Sequence, residues 1–323
     1  MDTKKVVIIN TGGTIAMELD ESTDSVKAGK DQPLHATEKL LKQFADIEMI
    51  DLFNVPSPYM TPEMMYQLCT VIDSYLEKEE IVGVVITHGT DTLEETAYFL
   101  DLTVQNDKPV VVTGAMRSSN ELGADGPVNL IQSVRVASDS NSYGRGTLVV
   151  FNDEIHSARD VTKTHTSNVA TFQSPAYGPV GVITKRAVTF HQPAARLQKY
   201  RVSKELPKVP LVKVVTGMEP AWLDFLTTAP IDGVVLEAFG AGNVPPSIIP
   251  NLQALISRSL PVVMVSRCYN GYVQDLYGYE GGGKQLRQMG IIFCNGLNGQ
   301  KARIKLLVLL SAGISLQDFE GQF

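Results

Sequence analysis

Two short polar segments hold residue types from which nucleophilic chemistry can be built: Thr11-Gly-Gly-Thr-Ile-Ala16 and His88-Gly-Thr-Asp-Thr92. The first directly follows the β-branched run Val6 to Ile9, the second the apolar run Ile81 to Thr87. An apolar run that stops in Gly, Thr and Asp reads as a buried strand opening into a polar loop, and ligands of open α/β sheets bind at such strand ends. Glycines there allow close backbone approach, while threonine hydroxyls supply a nucleophile or hydrogen bonds.

A threonine hydroxyl is a weak nucleophile unless a neighbouring base takes its proton. Lys163 is the best candidate: it lies in Asp160-Val-Thr-Lys-Thr-His-Thr166, a polar stretch following the strand that ends at Asn152, so it should emerge on the rim that carries Thr14, Thr90 and Asp91. Burial beside hydroxyls would make a neutral amine available as base, and Asp91 would suit a substrate ammonium. Taken singly, each residue has a plain structural reading: Thr14 as a helix N-cap, Thr90-Asp91 as a polar turn, Lys163 as a solvated side chain. Their gathering on one sheet edge favours the chemical one.

Other site signatures fail on their residues. Gly240-Ala-Gly242 follows a strand, but Pro245 stands where a dinucleotide fingerprint needs its third glycine. Gly278 to Lys284 has P-loop spacing, yet Gln285 replaces the magnesium-holding Ser or Thr and no apolar strand precedes it. His35, His88, His156, His165 and His191 form no HExxH motif, and there is no GxSxG elbow. No metal or cofactor is expected.

The elements that must position the rim follow a βαβ rhythm. Strands are expected at Lys5 to Asn10, Ile81 to Thr87, Pro109 to Gly114 and Thr147 to Asn152, then at Leu211 to Val215, Gly233 to Phe239 and Pro261 to Ser266. Pro62 suits a first helical position ahead of the stripe Met64, Leu68, Val71, Ile72 and Leu76, and Thr92-Leu-Glu-Glu95 has capping-box spacing. Further helices are expected near Pro246 to Arg258 and through Ala302 to Leu310, with a hairpin over Gly181 to Phe190. The expected fold is therefore α/β: a doubly wound, mostly parallel sheet in a larger N-terminal domain (1–190), a linker rich in Lys, Arg, Gln and Pro (191–210), and a smaller C-terminal α/β domain (211–323).

The 323 residues, 44% of them apolar, are enough for about two domains. A formal charge of −7 with no basic stripe argues against nucleic acid and against a polybasic membrane anchor. The opening Met1-Asp-Thr-Lys-Lys5 leads straight into a strand, no apolar run approaches a membrane span, and Cys69, Cys268 and Cys294 show no CxxC spacing. A cytoplasmic protein with reduced thiols is expected.

Thr11 to Ala16 and His88 to Thr92 resemble the two signature motifs of the bacterial-type L-asparaginases, a family of homotetrameric amidohydrolases. The similarity extends to Thr113-Gly-Ala-Met-Arg117, Asp125-Gly-Pro-Val-Asn129, Arg159 to Phe172 and Asn298-Gly-Gln-Lys-Ala-Arg303, nearly the whole chain. The resemblance implies that Thr14 attacks the side-chain carboxamide of L-asparagine, that Thr90, Lys163 and Asp91 support it, and that ammonia and then aspartate leave, with minor glutaminase activity. Ser57, in Val55-Pro-Ser-Pro58, matches the ligand of the substrate α-carboxylate, Asp91 would take the α-ammonium, and the Ala115 backbone would meet the amide. N–H groups near Gly13 and Thr90 would bind the oxyanion, and Gly89 is a further substrate-binding position. Asn243, in Gly240-Ala-Gly-Asn243, matches the position that completes the site of a neighbouring subunit in an intimate dimer, two of which form the tetramer. Either Tyr277 or Glu280 stands where some members place a further residue from that subunit.

Two departures stand out. Pro58 follows Ser57 and cannot donate a backbone hydrogen bond, so substrate contacts on that side must differ. The lid expected at Glu18 to Gln32 lacks the tyrosine that many relatives place near the nucleophile, since no tyrosine occurs between Thr14 and Tyr59. A catalytically silent small-molecule sensor and an asparaginase-like amidotransferase subunit are the competing readings. Retention of Thr14, Thr90, Asp91 and Lys163 counts against the first, and the short segment before Thr11 against the second.

Overall fold

The computed structural model describes residues 5–20, 25–28, 40–195 and 198–323. The chain divides into two compact units, Met1–Lys199 and Tyr200–Phe323. In the first, β1 (Lys5–Asn10) is followed by β2 (Met17–Asp20) and β3 (Ser25–Ala28), an antiparallel pair, and by β4 (Asp46–Asp51). Within the expected lid, residues 21–24 and 29–32 lie outside the described residues. Next come α1 (Pro62–Leu76), β5 (Ile81–Thr87), α2 (Leu93–Thr103), β6 (Val110–Thr113), α3 (Gly126–Ala137) and β7 (Thr147–Phe151). Short strands β8 (Glu154–Ser157), β9 (Thr162–Lys163), β10 (Phe172–Gln173), β11 (Gly181–Ile183) and β12 (Val188–Phe190) complete the unit.

The main sheet has eight strands in the order β12-β11-β8-β7-β6-β5-β1-β4. β7, β6, β5, β1 and β4 run parallel, and β8, β11 and β12 extend that edge antiparallel. The inner parallel strands β1, β5, β6 and β7 are apolar at nearly every position because both faces are covered, so period-2 alternation disappears. Val6, Ile8, Val85, Val111, Leu148 and Val150 pack with Leu130, Val134 and Ala137 of α3 in one buried cluster. The order itself locates the crevice. From β1 the chain runs to β4 on one side, whereas from β5 it runs to β6 on the other, so the loops after β1 and β5 diverge at a topological switch point.

The second unit is a four-stranded parallel sheet in sequential order: β13 (Leu211–Lys213), β14 (Val234–Ala238), β15 (Val262–Ser266) and β16 (Ile292–Phe293). Helices α4 (Ala221–Thr228), α5 (Ile249–Ser257) and α6 (Gly283–Gln288) connect the strands, and α7 (Gly299–Ser311) follows them. The division is the expected α/β fold with a large mostly parallel sheet and a separate smaller one. β1 and β5 have the bounds read from sequence, while β6, β14 and β15 are shorter by a residue or two because their terminal residues leave the ladder.

Two local expectations need correction. β4, unanticipated, reads Asp-Ile-Glu-Met-Ile-Asp and is half-buried from Ile47 to Ile50 with exposed aspartates at both ends, as its edge position permits. The capping box at Thr92 does not form. The side chain makes no cap, and its Oγ1 donates instead to the Ser57 carbonyl at 2.8 Å, so a tertiary partner outcompetes the local one. Thr61 does cap α1, its side chain accepting from the Met64 N–H at 3.3 Å.

Candidate active site

The three loops that meet at the switch point are held together by backbone contacts that only glycine allows. Gly12 and Gly13 have φ of +101° and +87°, which admits them to the left-handed side of conformational space. A Cβ on Gly13 would lie 2.4 Å from the Cα and N of Gly89, and one on Gly12 would lie 2.5 Å from the Val55 N and O. The first threonine loop is thereby seated directly on the second and on the segment leading to Ser57. A Cβ on Gly89 would in turn stand 2.7 Å from the Ser57 Cβ. Hydrogen bonds lock the same geometry: the Thr11 N–H and Oγ1 both donate to the Thr87 carbonyl, at 3.1 and 2.8 Å, and the Val55 N–H donates to the Thr11 carbonyl at 3.2 Å. Thr14 opens a short 3-10 turn (Thr14–Ala16) immediately beyond this junction, half-buried.

Lys163 arrives from a different part of the chain. Its Nζ donates to the Thr90 Oγ1 at 2.8 Å and to the Asp91 Oδ1 at 2.7 Å. Thr90 is buried, the Lys163 side chain is 15% exposed and that of Asp91 61%, so the cluster is dry at the hydroxyl and open at the carboxylate. Ser57 is buried with its Oγ accepting from the Asp91 N–H at 3.1 Å. That bond uses a lone pair and leaves the Ser57 hydroxyl proton for another acceptor. Pro58 lies within the 3-10 turn Ser57–Tyr59.

His88 is buried and its neighbours fix its state. Nδ1 lies 2.7 Å from the Gly89 carbonyl, which can only accept, so the proton sits on Nδ1; Nε2 then accepts from the Thr96 hydroxyl at 2.9 Å. Burial pushes its pKa down to about 4, and the imidazole is neutral at physiological pH. The ring is wedged between the Gly89 carbonyl and the Thr96 hydroxyl.

Four supporting residues, Glu94, Asp125, Phe151 and Phe172, were given no individual role by the sequence. Glu94, 5% exposed, accepts from the Thr162 hydroxyl at 3.0 Å and from the Lys163 N–H at 3.3 Å. Asp125 accepts from the Met116 and Arg117 N–H groups, its nearest contacts 3.0 Å each, and from Asn129 Nδ2 at 3.1 Å, tying down the loop after Ala115. Phe151 and Phe172 stack with centroids 4.3 Å apart, holding β10 and with it β9. Ala115 is buried beside this rim, where a Cβ on Gly126 would meet both its Cβ at 3.3 Å and Ile15 Cγ1 at 2.9 Å.

Gly13, Thr14, Ser57, Gly89, Thr90, Asp91, Ala115 and Lys163 thus belong to one unit, on the loops that follow β1, β4, β5 and β6 and on β9. Asn243 belongs to the other. It follows β14, pairs with Phe239 in an isolated bridge, and its Oδ1 accepts from the Gly283 N–H at 3.3 Å. Tyr277 and Glu280 lie in the loop before Gly283, where the Tyr277 and Tyr279 rings are 5.5 Å apart. Among the described residues no three His, Cys, Asp or Glu side chains converge as a metal centre would require, and no helix is long and apolar enough to cross a membrane.

A doubly wound sheet whose switch point presents a buried hydroxyl bonded to a lysine amine defines an α/β protein with a polar site at its strand ends. Comparison with known proteins gives the family. The domain described as "Asparaginase, N-terminal" matches residues 5–196, and "Glutaminase/Asparaginase C-terminal domain" matches residues 208–323. The chain is 34% identical to an L-asparaginase of Bacillus licheniformis over 96% of each chain. It is 38% identical to a probable L-asparaginase of Deinococcus radiodurans over 99% of this chain and 97% of that one. Identity to L-asparaginase 2 of Escherichia coli K12 is 39% over 95% of this chain and 88% of that one. The chain belongs to the asparaginase family.

Proposed function

We propose that this protein hydrolyses L-asparagine to L-aspartate and ammonia, with Thr14 as nucleophile. The observation that carries the reading is the Lys163–Thr90 contact of 2.8 Å on the loop against which Gly13 is packed. The Thr14 Oγ adds to the carboxamide carbon, and the oxyanion is taken up by N–H groups near Gly13 and Thr90. Ammonia leaves with a proton, which gives an aspartyl ester on Thr14. Water then adds to the ester carbonyl and aspartate departs. The Thr90 hydroxyl and the Lys163 amine, 2.8 Å apart, form the pair that accepts the proton of the attacking group in each half-reaction. The exposed Asp91 carboxylate suits the substrate ammonium, and the free Ser57 hydroxyl proton suits its α-carboxylate. The backbone of Ala115 receives the amide.

Glutamine turns over as a minor substrate. We assign the chain to a homotetramer of intimate dimers in which Asn243 completes the neighbouring site, and to the cytoplasm, in keeping with three free cysteines. The domain boundaries assigned are 1–190, a linker 191–210, and 211–323. The test is ammonia release from L-asparagine by the purified chain, its Thr14→Ala variant and its Thr90→Val variant. Each substitution should lower kcat by about 10³-fold or more without unfolding the protein, because truncating one hydroxyl leaves only a small void. Near-normal turnover in both variants would refute the assignment.

A further inference from the structure

We infer that Glu94 is a positioning residue that sets the distance between the Lys163 amine and the Thr90 hydroxyl. β9, which carries Lys163, is a two-residue strand paired, among the described residues, with the two residues of β10 and is absent from the eight-stranded sheet. The ribbon is continued by the Thr164 N–H, which donates to the Thr171 carbonyl at 2.8 Å, and is backed by Phe172 on Phe151, contacts that fix β9 against β10 and β7. Glu94 ties it to the Thr90 loop. It stands in the first turn of α2, just beyond Thr90 and Asp91, and its Oε1 accepts from both the Thr162 hydroxyl and the Lys163 N–H. A closed ring results: the Thr90 loop leads into α2, Glu94 of α2 holds the Lys163 backbone, and the Lys163 side chain returns to Thr90.

The placement explains why a carboxylate is kept where it is only 5% exposed. A buried charge is costly unless hydrogen-bonded, and the helix N-terminus together with the two donors offsets that cost. An oxygen fixed to the helix is what a two-residue strand needs. Glu94 bears on the reaction only if Lys163 acts on Thr90 as proposed above, so the experiment separates the two.

Steady-state kinetics with L-asparagine are measured on the full chain carrying Lys163→Met, Glu94→Ala, Glu94→Gln, Thr162→Val, and Glu94→Ala combined with Lys163→Met, each checked for folding by circular dichroism. Displacing a reacting group by about 1 Å costs about 10²-fold, so Glu94→Ala should lose about that factor in kcat with KM within about threefold. Glu94→Gln keeps an acceptor oxygen and should recover kcat to within about fivefold of the parent. The double variant should be no slower than Lys163→Met alone, because an anchor without its amine has nothing to position. A purely structural role would instead multiply the two losses, and that result overturns the inference. So does a Glu94→Ala kcat within about threefold of the parent while Lys163→Met is inactive. If Lys163→Met retains its rate, the catalytic reading of Lys163 falls and the role of Glu94 falls with it. Should Glu94→Ala fail to fold, Thr162→Val decides: a loss of about tenfold that vanishes in the Lys163→Met background supports the anchor, and one that persists there overturns it.

Discussion

The neutral, buried state of His88 makes stability depend on pH in a defined window. In the unfolded chain its imidazole titrates near 6.5, whereas burial holds it at about 4 in the native protein. Between those values the unfolded state binds more protons than the native one, so stability rises with pH there. The contribution is complete above the unfolded value, is lost as the pH falls through the folded one, and stays flat below it. At 1.36 kcal/mol per unit of difference, the span amounts to about 3 kcal/mol. The perturbation is acidification of the parent and of His88→Asn, which keeps an N–H for the Gly89 carbonyl but does not titrate. Urea unfolding from pH 7.5 to 4, at one protomer concentration so that assembly contributes equally, should show the parent losing about 3 kcal/mol more than the variant. Carboxylates shared by both proteins cancel in that difference. Curves parallel to within about 1 kcal/mol, or a His88 resonance titrating near 6.5, would refute both the assigned tautomer and the wedge role.

Two further outcomes follow from the same contacts. Gly13→Ala combines an unfavourable φ with a Cβ 2.4 Å from the Gly89 backbone, so it should destabilise by roughly 2–4 kcal/mol and abolish ammonia release, read from the urea midpoint and the assay; an unchanged midpoint would separate the two loops. Mixing Thr14→Ala with Asn243→Ala, each inactive alone, should restore activity after subunit exchange, because each hybrid dimer holds one intact site; no recovery despite proven exchange would place Asn243 outside a shared site.

What the sequence made legible was the rim, and the reason is local. Thr14, Thr90 and Asp91 stand next to the glycines and apolar strands that position them, so a short window contains both the chemistry and its scaffold. Lys163 was legible only as a lysine in an unusually polar stretch after a strand. β4 was not readable, because an edge strand buries only part of each side chain and its charges erase the apolar signal. Thr92 was misread because its spacing satisfied a local rule that a tertiary partner, the Ser57 carbonyl, overrode.

Glu94 and Asp125 escaped notice for a related reason. Each is an acid at or near the start of a helix, where a carboxylate is favoured by the dipole whether or not it does anything else. Sequence distinguishes neither from a solvated one. Only the fold reveals that the partners of Glu94 lie 68 and 69 positions along the chain, and that Lys163 reaches Thr90 across 73. Nucleophile motifs can be read from a string because glycine, hydroxyl and strand must be contiguous to work. The residues that hold Lys163 in place need only be near in space, and nothing in their local spacing has to record it.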